Sequence, residues 1–291
     1  MSATVTNPSV AVIGAAGQTG RPLVRCLARR GAKVKAIVHR MDQAAQVPDA
    51  AVALAVDLAD TKALAAALED TAVVHYIPPV FNPAEETFGA HVISAAKAAE
   101  VSRIIYHSVL HASTPSMPHH QHKAIVELAL RESPLAWTIL QPAMYSQTPL
   151  AFLDADRKQL RVGFDPAKPF SPVDLEDLAE AATNVILESG HEYATYELAG
   201  ADRLDFFTMA GAIAEALGHT VSVHRLSSAI VASAAAVHYG IRSWPYLKGM
   251  LDHYDAHGFL GNPNVLRMLL RREPLGFAEV MKRELGSAGK S

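Results

Sequence analysis

The chain has 291 residues, half of them hydrophobic and 19% charged, with a formal net charge of −3. That balance excludes general disorder, gives no whole-protein reason to expect nucleic acid or an anionic membrane as a direct partner, and leaves enough apolar surface for a core without disulfide or metal staples. One cysteine excludes an intramolecular disulfide and fits a reducing compartment, so the cytoplasm is the expected location.

The first residues, Met1 to Pro8, carry neither the basic nor the apolar segment of a signal peptide. The longest apolar runs, 63–68 and 230–237, fall far short of a bilayer span, so no membrane partner is expected. In the first half, strand-like and helix-like segments alternate. The spacing predicts strands at 10–13, 33–38, 51–56, 73–77, 103–107 and 137–140, and helices at 21–30, 61–68, 87–100 and 123–131. Near-continuous apolar strands separated by helices indicate an α/β fold with a parallel sheet covered on both faces. Right-handed crossovers make it a Rossmann-type doubly wound sheet over residues 1–150.

Beyond residue 150 the pattern is less regular. Helices are predicted at 174–188, 205–217, 228–239, 244–256 and 277–285, and strands at 195–198 and 221–224. Asp205 is placed as a helix cap and Gly218 as a helix stop. Residues 151–291 are therefore expected to form a smaller, mostly helical substrate or interaction lobe, with a few strands rejoining the sheet and a frayed tail at 286–291.

Gly14-Ala15-Ala16-Gly17-Gln18-Thr19-Gly20 follows the first strand and opens the first helix. Glycines at 14, 17 and 20 suit a tight turn, close backbone approach to a pyrophosphate, and close helix–strand packing. The helix N-terminus adds free N–H groups and a positive dipole end. Twenty residues beyond Gly20, where an NAD site usually carries an acid, stand His39 and Arg40. A guanidinium there can pair with a ribose 2′-phosphate, so NADP(H) is expected in preference to NAD(H). Asp57 and Leu58 end the third strand, at the adenine edge or as a helix cap. Ile77, Pro78 and Pro79 end the fourth as a rigid apolar wall or as strand punctuation.

At this point the chain resembles the NmrA-like family of the atypical short-chain dehydrogenase/reductase superfamily. The resemblance rests on the glycine turn, on Val38-His39-Arg40, on His107-Ser108-Val109-Leu110-His111, on Lys123 with Val126-Glu127, and on Trp137 to Tyr145 with its Pro142. Pro172-Val173-Asp174-Leu175-Glu176-Asp177 and Leu270 to Phe277 extend it over nearly the whole chain. It implies a Rossmann fold and a nicotinamide cofactor. The family includes NAD(P)H-dependent reductases of quinones, dyes and conjugated phenylpropanoids as well as cofactor-sensing regulators, so activity stays open. The cofactor-binding candidates are Gly14, Gly17, Gln18, Thr19, Gly20, His39, Arg40, Asp57, Leu58, Ile77, Pro78, Ser108, Lys123 and Pro142.

Typical short-chain dehydrogenases use Tyr-x-x-x-Lys. Here Lys123 stands where that lysine belongs and His119 where the tyrosine would be. His119 is placed as a general acid near neutral pH or as a solvated loop residue, and Lys123 as a ligand of the nicotinamide ribose. Ser108 is set to meet a carboxamide or a substrate carbonyl, or a local backbone group. Tyr145 is set as a substitute proton donor or as packing. The histidines at 107, 111, 119, 120 and 122 match no zinc spacing, so no metal is expected. Cys26 reads as packed. The aromatics at 244–259 line a substrate cleft, a helix core or a subunit interface.

The leading expectation is an NADPH-dependent oxidoreductase passing hydride to a small conjugated or aromatic acceptor, quinone- or enone-like, in the interdomain cleft. The alternative is a non-catalytic NADP(H)-binding redox sensor acting through a protein partner. A third reading is redox-neutral chemistry on a tightly held NADP. A homodimer stays open.

Overall fold

In the computed structural model, which describes residues 8–286, the sheet starts with β1 (Ser9–Ile13). Val10 and Val12 face one layer of the core, and Ala11 and Ile13 face the other. A strand buried on both faces needs helices on both sides. The chain continues through α1 (Gly20–Arg29), β2 (Lys33–Val38), β3 (Ala51–Ala55), α2 (Thr61–Leu68), β4 (Val73–Tyr76), α3 (Glu85–Ala98), β5 (Arg103–His107), α4 (Pro118–Arg131) and β6 (Ala136–Pro142). It closes with β7 (Leu153–Asp154), β8 (Gln159–Val162), α5 (Leu175–Leu187), β9 (Ala194–Leu198), α6 (Phe206–Leu217), β10 (Ser222–Arg225), α7 (Ser228–Tyr239), α8 (Trp244–His257), α9 (Asn264–Leu270) and α10 (Phe277–Gly286).

The main sheet has seven strands in the order β3-β2-β1-β4-β5-β6-β9, every pairing parallel. Leu23, Val24 and Leu27 of α1 pack with α5 on one face, and Leu64, Val92 and Val126 of α2, α3 and α4 fill the other. The strand order reverses between β1 and β4, so their carboxyl ends bound the crevice where such sheets take ligands. This is the doubly wound fold that the apolar strand pattern predicts.

Several expectations change in detail. The helix predicted from 123 begins at Pro118, a residue suited to a first helical turn. It carries His119 and His120 into a buried position, so neither lies in a solvated loop. Of the strands expected to rejoin the main sheet, only β9 does. Strand β10 pairs with β8 in a separate three-stranded sheet, order β10-β8-β7. Strands β7 and β8 and helix α9 carry no signal long enough to be read. Asp205 accepts from the Thr208 N–H and Gly218 ends α6 at φ 71°, the cap and stop placed from sequence. The readings at residues 1–7 and 287–291 lie outside the described residues. Among the described residues, no helix is long and apolar enough to cross a membrane.

One ionic clasp ties the C-terminal helix to the start of α5 and the loop after β6. Asp174, just before α5, accepts from Gln147 Nε2 at 2.8 Å and from Arg283 Nη1 and Nη2 at 2.8 and 2.7 Å. Burial pushes the Asp174 carboxyl up, but the hydrogen bonds from Arg283 and Gln147 outweigh it and hold the carboxyl below its ordinary value. The clasp therefore stabilises the fold above the unfolded carboxyl's pKa and is lost as pH falls through the lower folded value. Asp174→Asn is expected to lower stability by about 1–3 kcal/mol near neutrality. In urea titrations the difference from the parent protein should shrink as pH drops below ~4. An unchanged difference at acid pH would show that the carboxylate charge is not what the clasp uses.

Candidate functional site

The glycine turn folds back on the ends of β2 and β4. The N–H groups of Gly14 and Ala15 donate to the Ile37 carbonyl at 3.1 and 3.3 Å, and the Gly17 N–H donates to the Gly14 carbonyl at 3.1 Å. Gly14 sits at φ 85°, and a Cβ there would meet the Ile77 carbonyl oxygen at 2.7 Å. A Cβ on Gly20 would fall 2.3 Å from the Gly14 oxygen. Backbone thus forms the floor of the turn, and the N-terminus of α1 opens at its rim, where the Arg21 N–H donates to the Gly17 carbonyl at 3.1 Å and Pro22 carries no N–H. No acidic residue stands in the first turn of α1 to compete for them.

From this turn a cleft of about 990 Å³ runs along the strand ends to the helical C-terminal region. Gly14, Gly17, Gln18, Thr19, Gly20, His39, Asp57, Leu58, Ile77, Pro78, Ser108, His119, Lys123, Pro142 and Tyr145 all line it. The fold therefore gathers these candidates from the carboxyl ends of six strands and the start of α4 into one cavity. A backbone turn too tight for a Cβ at Gly14 or Gly20, beside a helix N-terminus, fits the pyrophosphate of a dinucleotide. Arg40 is the exception. It does not line the cleft, and its guanidinium pairs with Asp42 at 2.9 Å, with both side chains 65% exposed. His39 and Gln43 present the end of β2 instead. Asp57 lines the cleft and accepts from the Ala59 N–H, while Asp60 is the residue that caps α2.

Deeper in, a buried carboxylate organises the wall. Glu85, the first residue of α3, is fully buried. Its Oε1 accepts from Lys123 Nζ at 2.6 Å and from Tyr106 Oη at 3.0 Å, and its Oε2 lies 3.7 Å from His119 Nδ1. The pair keeps the Lys123 ammonium at the cavity wall instead of leaving it to seek water. A second buried carboxylate, Glu127, accepts from Ser108 Oγ at 2.5 Å and from Gln141 Nε2 at 2.7 Å, with Arg131 at 2.9 Å on its other oxygen. Ser108 thus bonds to a carboxylate and not to a local backbone group. Tyr145 Oη and His107 Nε2 lie 2.9 Å apart, and the His107 ring stands edge-on to the buried His75.

Burial decides the charge state of these imidazoles. It pushes His119 and His107 well below their ordinary range, with the Lys123 charge adding to the effect on both. His120 is pushed down to about 3, again mainly by burial. Burial thus weighs against the expectation that His119 supplies an acid near neutral pH. Its ring is neutral there and offers one donor and one acceptor instead. Burial also raises the Tyr145 phenol, with Thr19 pulling it back only in part, so it stays protonated and serves as a hydrogen-bond donor. Among the described residues, no group of three or more His, Cys, Asp or Glu could hold a metal ion.

The far wall is aromatic. Phe152, Phe164, Tyr254 and Phe259 line the cleft, and all but Phe152 are buried in the core of the C-terminal region. Phe164 and Tyr254 meet edge-on with ring centroids 5.9 Å apart. In the segment 244–259 the aromatics therefore divide. Tyr254 and Phe259 serve both core and cleft, whereas Tyr246 packs edge-on against His122 outside it. Sequence reasoning missed Glu85, Phe81 and Tyr239. Glu85-Glu86 at a helix start looks like two solvated acids favouring the dipole, and only the lysine and tyrosine that close over Glu85 reveal its role.

The profile of the NmrA-like family matches residues 6–256. Quinone oxidoreductase 2 of Escherichia coli (strain K12) is 29% identical over 229 residues, which cover 77% of this chain and 80% of that protein. NAD(P)H azoreductase of Xenophilus azovorans is 28% identical over 217 residues, covering 73% of this chain and 75% of that one. The crystal structure of an NADPH-dependent quinone oxidoreductase from Escherichia coli, complexed with NADPH, superposes with a TM-score of 0.82 at 26% identity, over 94% of this chain and 99% of the other. The family match runs from the first strand into α8 and so takes in the glycine cradle and, of the aromatic wall, Phe152, Phe164 and Tyr254. By that extent of agreement the chain belongs to the NmrA-like family.

Proposed function

We propose that this protein is an NADPH-dependent oxidoreductase that passes hydride to a small conjugated or aromatic acceptor, quinone- or enone-like. The observation that carries the reading is the single cleft that joins the glycine cradle to an aromatic chamber, with Lys123 at the junction. The names of the two curated relatives, a quinone oxidoreductase and an azoreductase, support it. A reduced nicotinamide held in the cleft supplies the hydride. The turn residues 14–20 hold the pyrophosphate, Asp57 and Leu58 flank the adenine end, and Ile77, Pro78 and Pro142 wall the path. Lys123, fixed by Glu85, binds the ribose hydroxyls, and Ser108, fixed by Glu127, faces the carboxamide or the acceptor oxygen.

The chain's own groups argue for the acceptor class. His119 and His107 are neutral at pH 7 and the Tyr145 phenol is a weaker acid than usual, so the wall stabilises charge by hydrogen bonding and not by prompt proton delivery. Hydride addition to a quinone or enone leaves a delocalised anion that tolerates this. A simple ketone would leave a localised alkoxide that does not. Preference for NADP(H) is supported by the absence of an acid among the cleft-lining residues at the end of β2. The Arg40–Asp42 pair is exposed and screened by solvent, so the guanidinium can re-partner with a 2′-phosphate.

The test follows NADPH oxidation by its near-ultraviolet absorbance against quinones, enones, aldehydes and azo dyes, with NADH in parallel. Saturable turnover of quinones or enones and slower turnover with NADH are expected. Tight NADPH binding with no oxidation across the panel would transfer the assignment to a cofactor-sensing regulator.

A further inference from the structure

We propose that Phe81, His119 and Tyr239 form the stacking wall of an acceptor subsite that takes uncharged planar aromatic molecules and turns away anionic ones. The inference rests on the reductase reading for its catalytic readout, and on geometry alone for the wall. Phe81 lies in the loop after β4 and Tyr239 ends α7, so the wall joins the sheet side of the cleft to the helical side. The Phe81 ring centroid is 4.6 Å from that of His119 and 5.3 Å from that of Tyr239, and all three residues line the cleft.

The backbone at Phe81 points the same way. Its φ of 53° lies in the left-handed region, which a bulky aromatic residue rarely adopts. Asparagine or glycine would sit there with less strain. A strained backbone that delivers a ring to a cavity wall marks a position selected for what the ring does there. Tyr239 is 47% exposed, so its ring owes little to burial in the core.

Charge then sets the class of ligand. Histidines aside, the charged residues lining the cleft are, among the described residues, Asp57 and Lys123. Asp57 stands at the nucleotide end, and Lys123 is matched by Glu85 at 2.6 Å. The imidazoles of His107, His119 and His120 are held neutral by burial. His238, next to Tyr239, is the histidine at the rim of the chamber. The rest of the chamber presents aromatic and aliphatic faces. An uncharged ring system gains stacking and desolvation there, whereas a sulfonate or carboxylate would lose its water and find no cation in exchange.

The experiment compares menadione with a naphthoquinone sulfonate at about pH 8, where an ordinary imidazole is neutral. Wild-type protein is expected to favour menadione by about 100-fold in kcat/KM. Phe81→Asn keeps a residue that tolerates the left-handed backbone and removes the ring. It is expected to raise KM for menadione by about tenfold while the Kd for NADPH and the Tm stay unchanged. Tyr239→Ala, at an exposed position, should act in the same direction without risk to folding. Unchanged KM values in both variants, or a sulfonate used as well as menadione, would overturn the proposal. Should the wild type oxidise no NADPH with any quinone, the reductase reading fails and the wall is still tested. Menadione binding to NADP⁺-loaded protein, followed by fluorescence quenching, should weaken about tenfold in Phe81→Asn, and equal affinity would overturn it.

Discussion

Gly20→Ala is expected to weaken NADPH binding by at least about 100-fold and to lower stability by about 3 kcal/mol. The added Cβ would lie 2.3 Å from the Gly14 oxygen and 2.7 Å from the Ala15 Cα. Both neighbours are backbone, so no rotamer change relieves the contact. The turn itself has to open, and its internal bonds from the Gly17 and Arg21 N–H groups are disturbed. Gly211→Ala is the matched control. A Cβ there meets nothing within 4 Å, and the residue lies inside α6, where alanine is favoured over glycine by about 1 kcal/mol. Titration with NADPH alongside chemical denaturation checks both. Wild-type affinity in Gly20→Ala would refute the assignment of this turn as the pyrophosphate cradle.

Lys123→Met should have the second largest effect, and it separates structure from function. It leaves Glu85 fully buried with Tyr106 as its hydrogen-bond donor and no counter-charge. Removing one member of a buried ion pair typically costs about 3–5 kcal/mol. Adding Glu85→Gln removes the stranded charge and keeps an acceptor for Tyr106, so most of that loss should return in the double variant. Activity should not return, because the ammonium at the junction of cradle and chamber is gone. A fall in kcat/KM for NADPH of about 100-fold is expected in both Lys123 variants. Full activity in the stable double variant would remove Lys123 from the machinery and leave it a purely structural partner of Glu85.

The Rossmann half was legible because its strands are short apolar runs buried on both faces, and because the glycines occur at one strand–helix junction. What escaped were features set by partners far away in the chain. Glu85 reads as a helix-dipole acid until Lys123 and Tyr106 close over it. His119 and His120 stand before the helix predicted from 123, yet both are buried because α4 starts at Pro118 and leans on α8 and the chamber. Arg40 was placed correctly at the end of β2, but Asp42, two residues on, takes its guanidinium. Phe81 and Tyr239 carry no local signal at all. A left-handed φ at a phenylalanine is visible only in the folded backbone.

The two kinds of wall around the chamber are not equally open to evolutionary change. Phe164, Tyr254 and Phe259 face the cleft with one side and hold the core of the C-terminal region with the other, so a substitution that reshapes the pocket there also risks the fold. Tyr239 is exposed and Phe81 is only partly buried against the core, and Phe81 already sits in an unfavourable backbone conformation. A lineage exploring new acceptors is therefore free to drift at these two rim positions while the deep wall stays nearly constant. Selectivity and durability reside in different residues, and the first can diverge without endangering the second.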